Sequence, residues 1–218
     1  MFKVKYSFLV ASLLTVPTLS YAFKLPVPAL PQQESATATS GVPDAAAQES
    51  LVKRFVSAQT LSLAAQINFA KALGLADQVQ LLEAEQLALS SGSTNSKDLK
   101  KNVEASANVQ KVIDEKQAAK PELNSESKKI YAEGLVLLVS SSLEAKKLGT
   151  EATNFANGLK GVSPFEAARL TTKLSSGVYV ATQAPNYLGA LFNNTKQALE
   201  FAKSNKIKAP ANVDALEF

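Results

Sequence analysis

The sequence predicts an all-α protein: a bundle of about six helices around a central apolar helix at residues 125–148, preceded by a leader and a proline-rich arm. Three observations carry that expectation. From Asp44 onwards apolar residues recur at alternating spacings of three and four, which is the period of a helix that buries one face. The stretches so marked are separated by short breaks rich in Gly, Ser or Pro, and connections this short make neighbouring helices antiparallel. No run alternates in polarity as a half-buried strand would.

Residues 1–22 read as a signal peptide. Lys3 and Lys5 precede an apolar run at residues 8–16, Pro17 breaks it, and Ser20-Tyr21-Ala22 places small residues where a signal peptidase reads them. The run is far shorter than the ~20 residues that span a bilayer, so cleavage is expected after Ala22, with no stable membrane span left behind. The chain has no cysteine, which removes both disulfides and the attachment point of a lipoprotein lipid. A periplasmic location without a lipid anchor is therefore expected.

Residues 23–43 hold Pro26, Pro28, Pro31 and Pro43 and the small polar run 35–41. Such a composition buries little and predicts a flexible arm. The helical domain then covers residues 44–206. Asp44 caps a long first helix whose stripe runs Leu51, Phe55, Ala58, Ser62, Ala65, Phe69 and Ala72, with a second stripe through Val52, Val56, Leu63 and Ile67. It ends near Gly74. The next helix, about 76–89, presents Val79, Leu82 and Leu89, and Ser90 to Asn95 break it.

A more polar helix from Ser96 to about Ala118 has one narrow stripe, Leu99, Val103, Val109, Val112 and Ile113, and stops before Pro121. The central helix starts at Asn124-Ser125-Glu126. Its residues 135–139, Leu-Val-Leu-Leu-Val, cover every azimuth and predict a turn enclosed on all sides. Lys146 and Lys147 followed by Gly149 predict its end. A short helix at 151–159 comes next. Ser163-Pro164-Phe165-Glu166 then reads as a cap, a first-turn proline and a glutamate placed to bond back. That helix is expected to extend towards Pro185, with a last helix at 186–204 and a tail at 207–218.

Composition narrows the chemistry. Histidine, cysteine and tryptophan are absent, which removes imidazole bases, thiolate nucleophiles and the usual zinc, copper and haem ligands. No cofactor and no metal are expected. Lys3 and Lys5 supply two of the four charges in the formal excess of +4, and the rest are interspersed with acids. That pattern offers no footprint for nucleic acid. Ser140-Ser141-Ser142 precedes Lys146, but small hydroxyls that let helices approach closely explain the trio better than a serine–lysine dyad. Asn193-Asn194-Thr195 matches a glycosylation acceptor inside a helical pattern.

Five residues remain as candidates for binding a ligand or partner. Glu133 lies on the most apolar helix, where low dielectric would raise its pKa and let it act as acid, ligand or switch, although a solvated pair with Lys129 explains it better. Tyr131, Tyr179 and Tyr187 fall near Gly134, Gly177 and Gly189 and could line a pocket between helices. Phe218 ends the chain with an apolar side chain and a free carboxylate, a feature that some peptide-binding domains capture. The expectation is a non-enzymatic periplasmic protein that binds an envelope protein or an apolar small molecule. The alternatives are a carboxylate enzyme using Glu133 and a structural or stress-related envelope protein.

Overall fold

Asp44, Asn95, Asn124 and Ser163 each turn a side-chain oxygen onto a backbone amide three residues ahead, and each opens a helix. The computed structural model describes residues 41–92 and 94–216. It contains α1 (Ala45–Ala72), α2 (Ala76–Ser90), α3 (Ser96–Ala118), α4 (Ser125–Lys160), α5 (Pro164–Lys173) and α6 (Ser175–Ser204), followed by a 3-10 turn at Val213–Leu216. All regular structure among the described residues is helical. No helix among them is long and apolar enough to cross a membrane. The expected leader, the arm up to residue 40, and Phe218 lie outside the described residues.

α1 and α4 pack antiparallel along a seam of small residues. Ala58, Ala65, Ser141 and Ala145 are buried, and Ser141 Oγ donates across the seam to the Ala58 carbonyl at 2.7 Å. The approach is closest at Gly134, where a Cβ would stand 2.7 Å from Phe69 Cε1 and 3.2 Å from the Ala65 oxygen. At the far end Arg54 bridges Glu144 at 3.0 Å and Glu151 at 2.7 Å. α6 lies antiparallel on α4. The Tyr131 ring sits 4.5 Å from Phe69 and 5.1 Å from Phe201, so three helices meet on one aromatic cluster. The Thr195 hydroxyl gives its proton to the Leu191 carbonyl at 2.8 Å, which makes Ser142 the donor in the Ser142–Thr195 pair at 2.9 Å.

The central helix departs from expectation in two ways. α4 does not stop at Gly149 but takes in the expected 151–159 helix, because Leu148, Ala152 and Phe155 carry its buried stripe onward. Packing of that stripe outweighs the glycine, which costs a helix only about 1 kcal/mol. Nor is the 135–139 turn fully enclosed, since Val136 is 50% exposed. The centre is shared: α1 buries thirteen of its 28 residues, and α2, α3, α4 and α6 all pack on it.

The C-terminal helices divide at a different place. The break falls at Leu174, and α6 continues through Pro185. Leu174 supplies no side-chain cap. Gln48 of α1 does so from a distance, its Oε1 accepting from the Gly177 amide at 3.1 Å. Gly177 is seated there because a Cβ would come 2.7 Å from Phe155 Cζ. Pro185 is exposed, on the side of the helix where a missing N–H costs least. Glu166, expected to bond back to its cap, instead takes Arg169 at 2.9 Å.

The segment beyond α6 is docked as far as Leu216, which is buried, and Asn205 Oδ1 accepts from the Leu123 amide at 3.0 Å. At the other end, buried Pro43 packs on Gly158, so the last residues of the expected arm belong to the bundle.

Phe69 is 1% exposed and cannot retreat from a methyl group at Gly134. Gly134→Ala is therefore expected to lower stability by about 1–3 kcal/mol through overpacking. The measurement is the urea midpoint, and an unchanged midpoint would show that the seam tolerates widening.

Candidate functional site

The face of α1 that carries Phe55, Gln59, Ser62 and Gln66 looks towards α3 and α6 rather than towards α4. Glutamines Gln59 and Gln66 are seven residues apart, two turns of helix, and α3 answers with Asn102, Ser106 and Gln110 at four-residue spacings. All five are buried. A buried amide needs partners, and these form two relays, each anchored at a carboxylate.

In the first relay Asp114 Oδ1 accepts from Gln110 Nε2 at 2.7 Å, and Gln110 Oε1 accepts from Gln66 Nε2 at 2.9 Å. Ser106 Oγ then donates to Gln66 Oε1 at 2.9 Å and closes the chain. In the second, Asn102 Nδ2 donates to the Glu85 carboxylate at 2.9 Å, and Asn102 Oδ1 accepts from Gln59 Nε2 at 3.0 Å. There it stops. Gln59 Oε1 is buried and has no hydrogen-bond partner.

α6 supplies the third wall with Tyr187, Ala190 and Leu191, and its Gln183, Asn186 and Asn194 form a polar rim. The Tyr187 ring is tilted on Phe55 with centroids 5.2 Å apart. Between the three helices is a cleft of about 220 Å³. The Tyr187 hydroxyl is buried beside the Ser141 and Ser62 hydroxyls. Burial pushes its pKa up, opposed by the nearby Ser141 and Ser62 hydroxyls, so the group stays neutral. No Asp, Glu, Lys or Arg lines the cleft.

A second depression, of about 380 Å³, lies at the α1–α2 turn beside Lys71, Gly74, Lys116 and Leu123. No buried unpartnered polar atom faces it, and Lys71 is paired with Glu83 at 3.0 Å. A further buried orphan, Glu151 Oε2, belongs to the Arg54 ion-pair cluster and is not in the lining of the cleft. Among the described residues no three carboxylates gather where they could hold a metal ion.

Of the expected site residues that are described, only Tyr187 lines this cleft, and Phe218 lies outside the described residues. Tyr131 is a core residue, its hydroxyl accepting from Gln117 Nε2 at 2.8 Å and donating to the Ala198 carbonyl at 3.2 Å. Tyr179 lies two turns before Tyr187 on α6 and is half-buried near Glu104, with burial and then that carboxylate raising its pKa. Glu133 is exposed on α4, so the low-dielectric setting expected for it is absent. Gly134 and Gly177 serve close packing, and Gly189 is exposed with open space beside it. The amide row was not anticipated. Its signal is present, since Gln59 and Gln66 follow Phe55 and Ser62 at helical spacing, in line with buried apolar positions.

Two hydroxyls at this face predict different responses. Ser106→Ala strips the donor from Gln66 Oε1 and should cost about 1–3 kcal/mol, as for any buried acceptor left alone. Tyr187→Phe removes a buried hydroxyl whose only neighbours of its kind are Ser141 and Ser62, both on geometry poorer than a full hydrogen bond, and should change stability by less than about 1 kcal/mol. Thermal melts of both variants check the pair.

Burial also holds the Asp114 carboxyl above its usual range, with the Gln110 hydrogen bond opposing. A raised folded pKa means that the native state binds the proton more tightly. This group's contribution is therefore full at low pH and is lost as pH rises through the carboxylate range. Asp114→Asn keeps the acceptor for Gln110 and should flatten that fall in a plot of melting temperature against pH. No family model matches this chain, and no curated protein or solved structure matches it either.

Proposed function

We propose that this chain is a non-enzymatic binding protein and that the cleft between α1, α3 and α6 takes a small molecule. The observation that supports it is a cleft of about 220 Å³ between three helices, walled by Val103, Ala107, Tyr187 and Ala190 and rimmed by Gln183, Asn186 and Asn194. Mostly apolar walls with a few polar groups are also the usual make-up of a ligand pocket. The lysine-bearing leader with its apolar run and Ser20-Tyr21-Ala22 supports export to the periplasm, with cleavage after Ala22.

A partner protein is the second reading. α5 presents Phe165 at 84% exposure, and α2 presents Leu87 at 73% and Leu81 at 47%. Side chains of this size left bare are what a docking partner buries.

Native mass spectrometry of the full chain, purified without denaturation from the periplasmic fraction, separates the two. A retained small-molecule mass is expected on the wild type and should be absent from Ala107→Phe, which fills the cleft wall. Bare protein from every preparation, with no change in melting temperature on adding a cell-envelope small-molecule extract, would remove the small-molecule reading.

A further inference from the structure

We infer that the outer face of α2 docks a helix of a partner protein, one whose own apolar face is flanked by lysines or arginines. The inference is independent of the cleft. It rests on the partner-protein reading above and names the surface and the chemistry of the partner.

The surface follows from helical geometry. Leu82 and Leu89 are buried and fix the side of α2 that faces the bundle. At about 100° per residue, Ala84 points the opposite way, Asp77 and Ala88 fall within about 40° of it, and Leu81 and Leu87 stand about 60° to either side. All five are exposed, Leu81 at 47% and Leu87 at 73%. α2 is therefore apolar on two opposite sides, a pattern that belongs to a helix covered all round. Among the described elements only α1 and α3 pack on it, so the second apolar side has no cover. The two leucines rise on either side of the row made by Ala84 and Ala88, which leaves a groove that a ridge of side chains from another helix can enter.

Charge selects among the possible covers. Between residues 75 and 96 the chain carries Asp77, Glu83 and Glu85 and no lysine or arginine. Asp77 lies on the apolar face itself, and the two glutamates flank it about 100° to either side of Ala84. Lys71 of α1 pairs with Glu83 at 3.0 Å, whereas Glu85 meets only the neutral amide of Asn102. Acids thus outnumber cations by two around this face. An anionic lipid surface attracts apolar faces bordered by cations and would repel this one. A second copy fits no better, because a two-fold pairing of α2 with its equivalent sets each flanking glutamate beside a glutamate of the other chain, whichever way the helices run. A helix with cations beside its apolar face gains on both flanks, and an amphipathic helix laid in a groove is a common way for one protein to read another.

Two helical peptides of two heptads each test the inference on the full chain, one of leucine and lysine and the other with glutamate at every lysine position. NMR titration is expected to place the shifts caused by the lysine peptide on α2, with binding at least about 10-fold tighter than for the glutamate peptide and weaker as salt is raised. Leu81→Ser combined with Leu87→Ser changes only exposed side chains, so the core stays intact, and should weaken the lysine peptide at least about 10-fold. Undiminished binding by that double variant would show attraction by charge alone and overturn the docking face. Equal binding of the two peptides by the wild type would overturn the basic partner. Phosphatidylglycerol vesicles bound through α2, or a dimer in sedimentation that the double variant loses, would overturn it too and give the face to a membrane or a second copy. Binding of neither peptide would overturn the α2 face altogether and leave the cleft standing, since native mass spectrometry reports on that site separately.

Discussion

The distance between α1 and α4 governs the rest of the molecule. Gly134 lets the α4 backbone come down on Phe69 and the Ala65 carbonyl, and Ser141 then reaches the Ala58 carbonyl one and a half to two turns away. Neither contact tolerates a larger residue. Because helices pack as rigid surfaces, closing this seam also places the Tyr131 ring between Phe69 and Phe201 and thereby sets where α6 lies. The position of α6 relative to α1 follows from a packing constraint on the opposite side of α1 from the cleft.

That arrangement leaves α1 with two faces of different chemistry. One is small and apolar and makes the seam. The other carries Gln59 and Gln66 and meets α3 through amides. Amides in a core give less net stabilisation than well-packed apolar side chains, but they are directional, and a helix that slips by one turn leaves them unpaired. The Gln66–Ser106–Gln110–Asp114 relay is closed at both ends and can serve as a register lock for α3. The Gln59–Asn102–Glu85 relay has the same construction but an open end. Two such relays side by side make the open end a local feature of Gln59 and not a general looseness of the α1–α3 contact.

How much of this was legible in the chain follows from the range of each interaction. Caps act over three residues, and Asp44, Asn95, Asn124 and Ser163 mark helix starts that the structure keeps. The breaks were less legible where a distant residue decides them. Gly149 lies inside α4 because α6 packs on both sides of it, and the end of α5 is set with the help of Gln48, more than a hundred residues away in sequence. Tyrosine and glycine types pointed to a pocket in the C-terminal half, yet only Tyr187 faces one, because side-chain type does not say which face of a helix is walled. Glu133 illustrates the same limit: it neighbours apolar residues in sequence and water in space. The amide row was visible as polar residues at buried spacing, but which oxygen it leaves free depends on hydrogen bonds across three helices.

A cleft built in this way is preformed. Phe55 and Leu191 are buried behind its walls, Gln59 is held through its nitrogen by α3, and the Tyr187 ring rests on Phe55, so the backing of the cleft has lost most of its rotamer freedom before a ligand arrives. Binding then costs little ordering of the protein, which raises affinity for a ligand that fits and sharpens discrimination against one that does not. The same rigidity limits the size of the occupant. α1 cannot move away from α3 without breaking the closed Gln66 relay, and α6 cannot move away without disturbing the Tyr131 cluster that the α1–α4 seam holds in place. A molecule much larger than the cleft would have to break one of those contacts to enter, so the packing of the core sets an upper bound on what the polar face can accept.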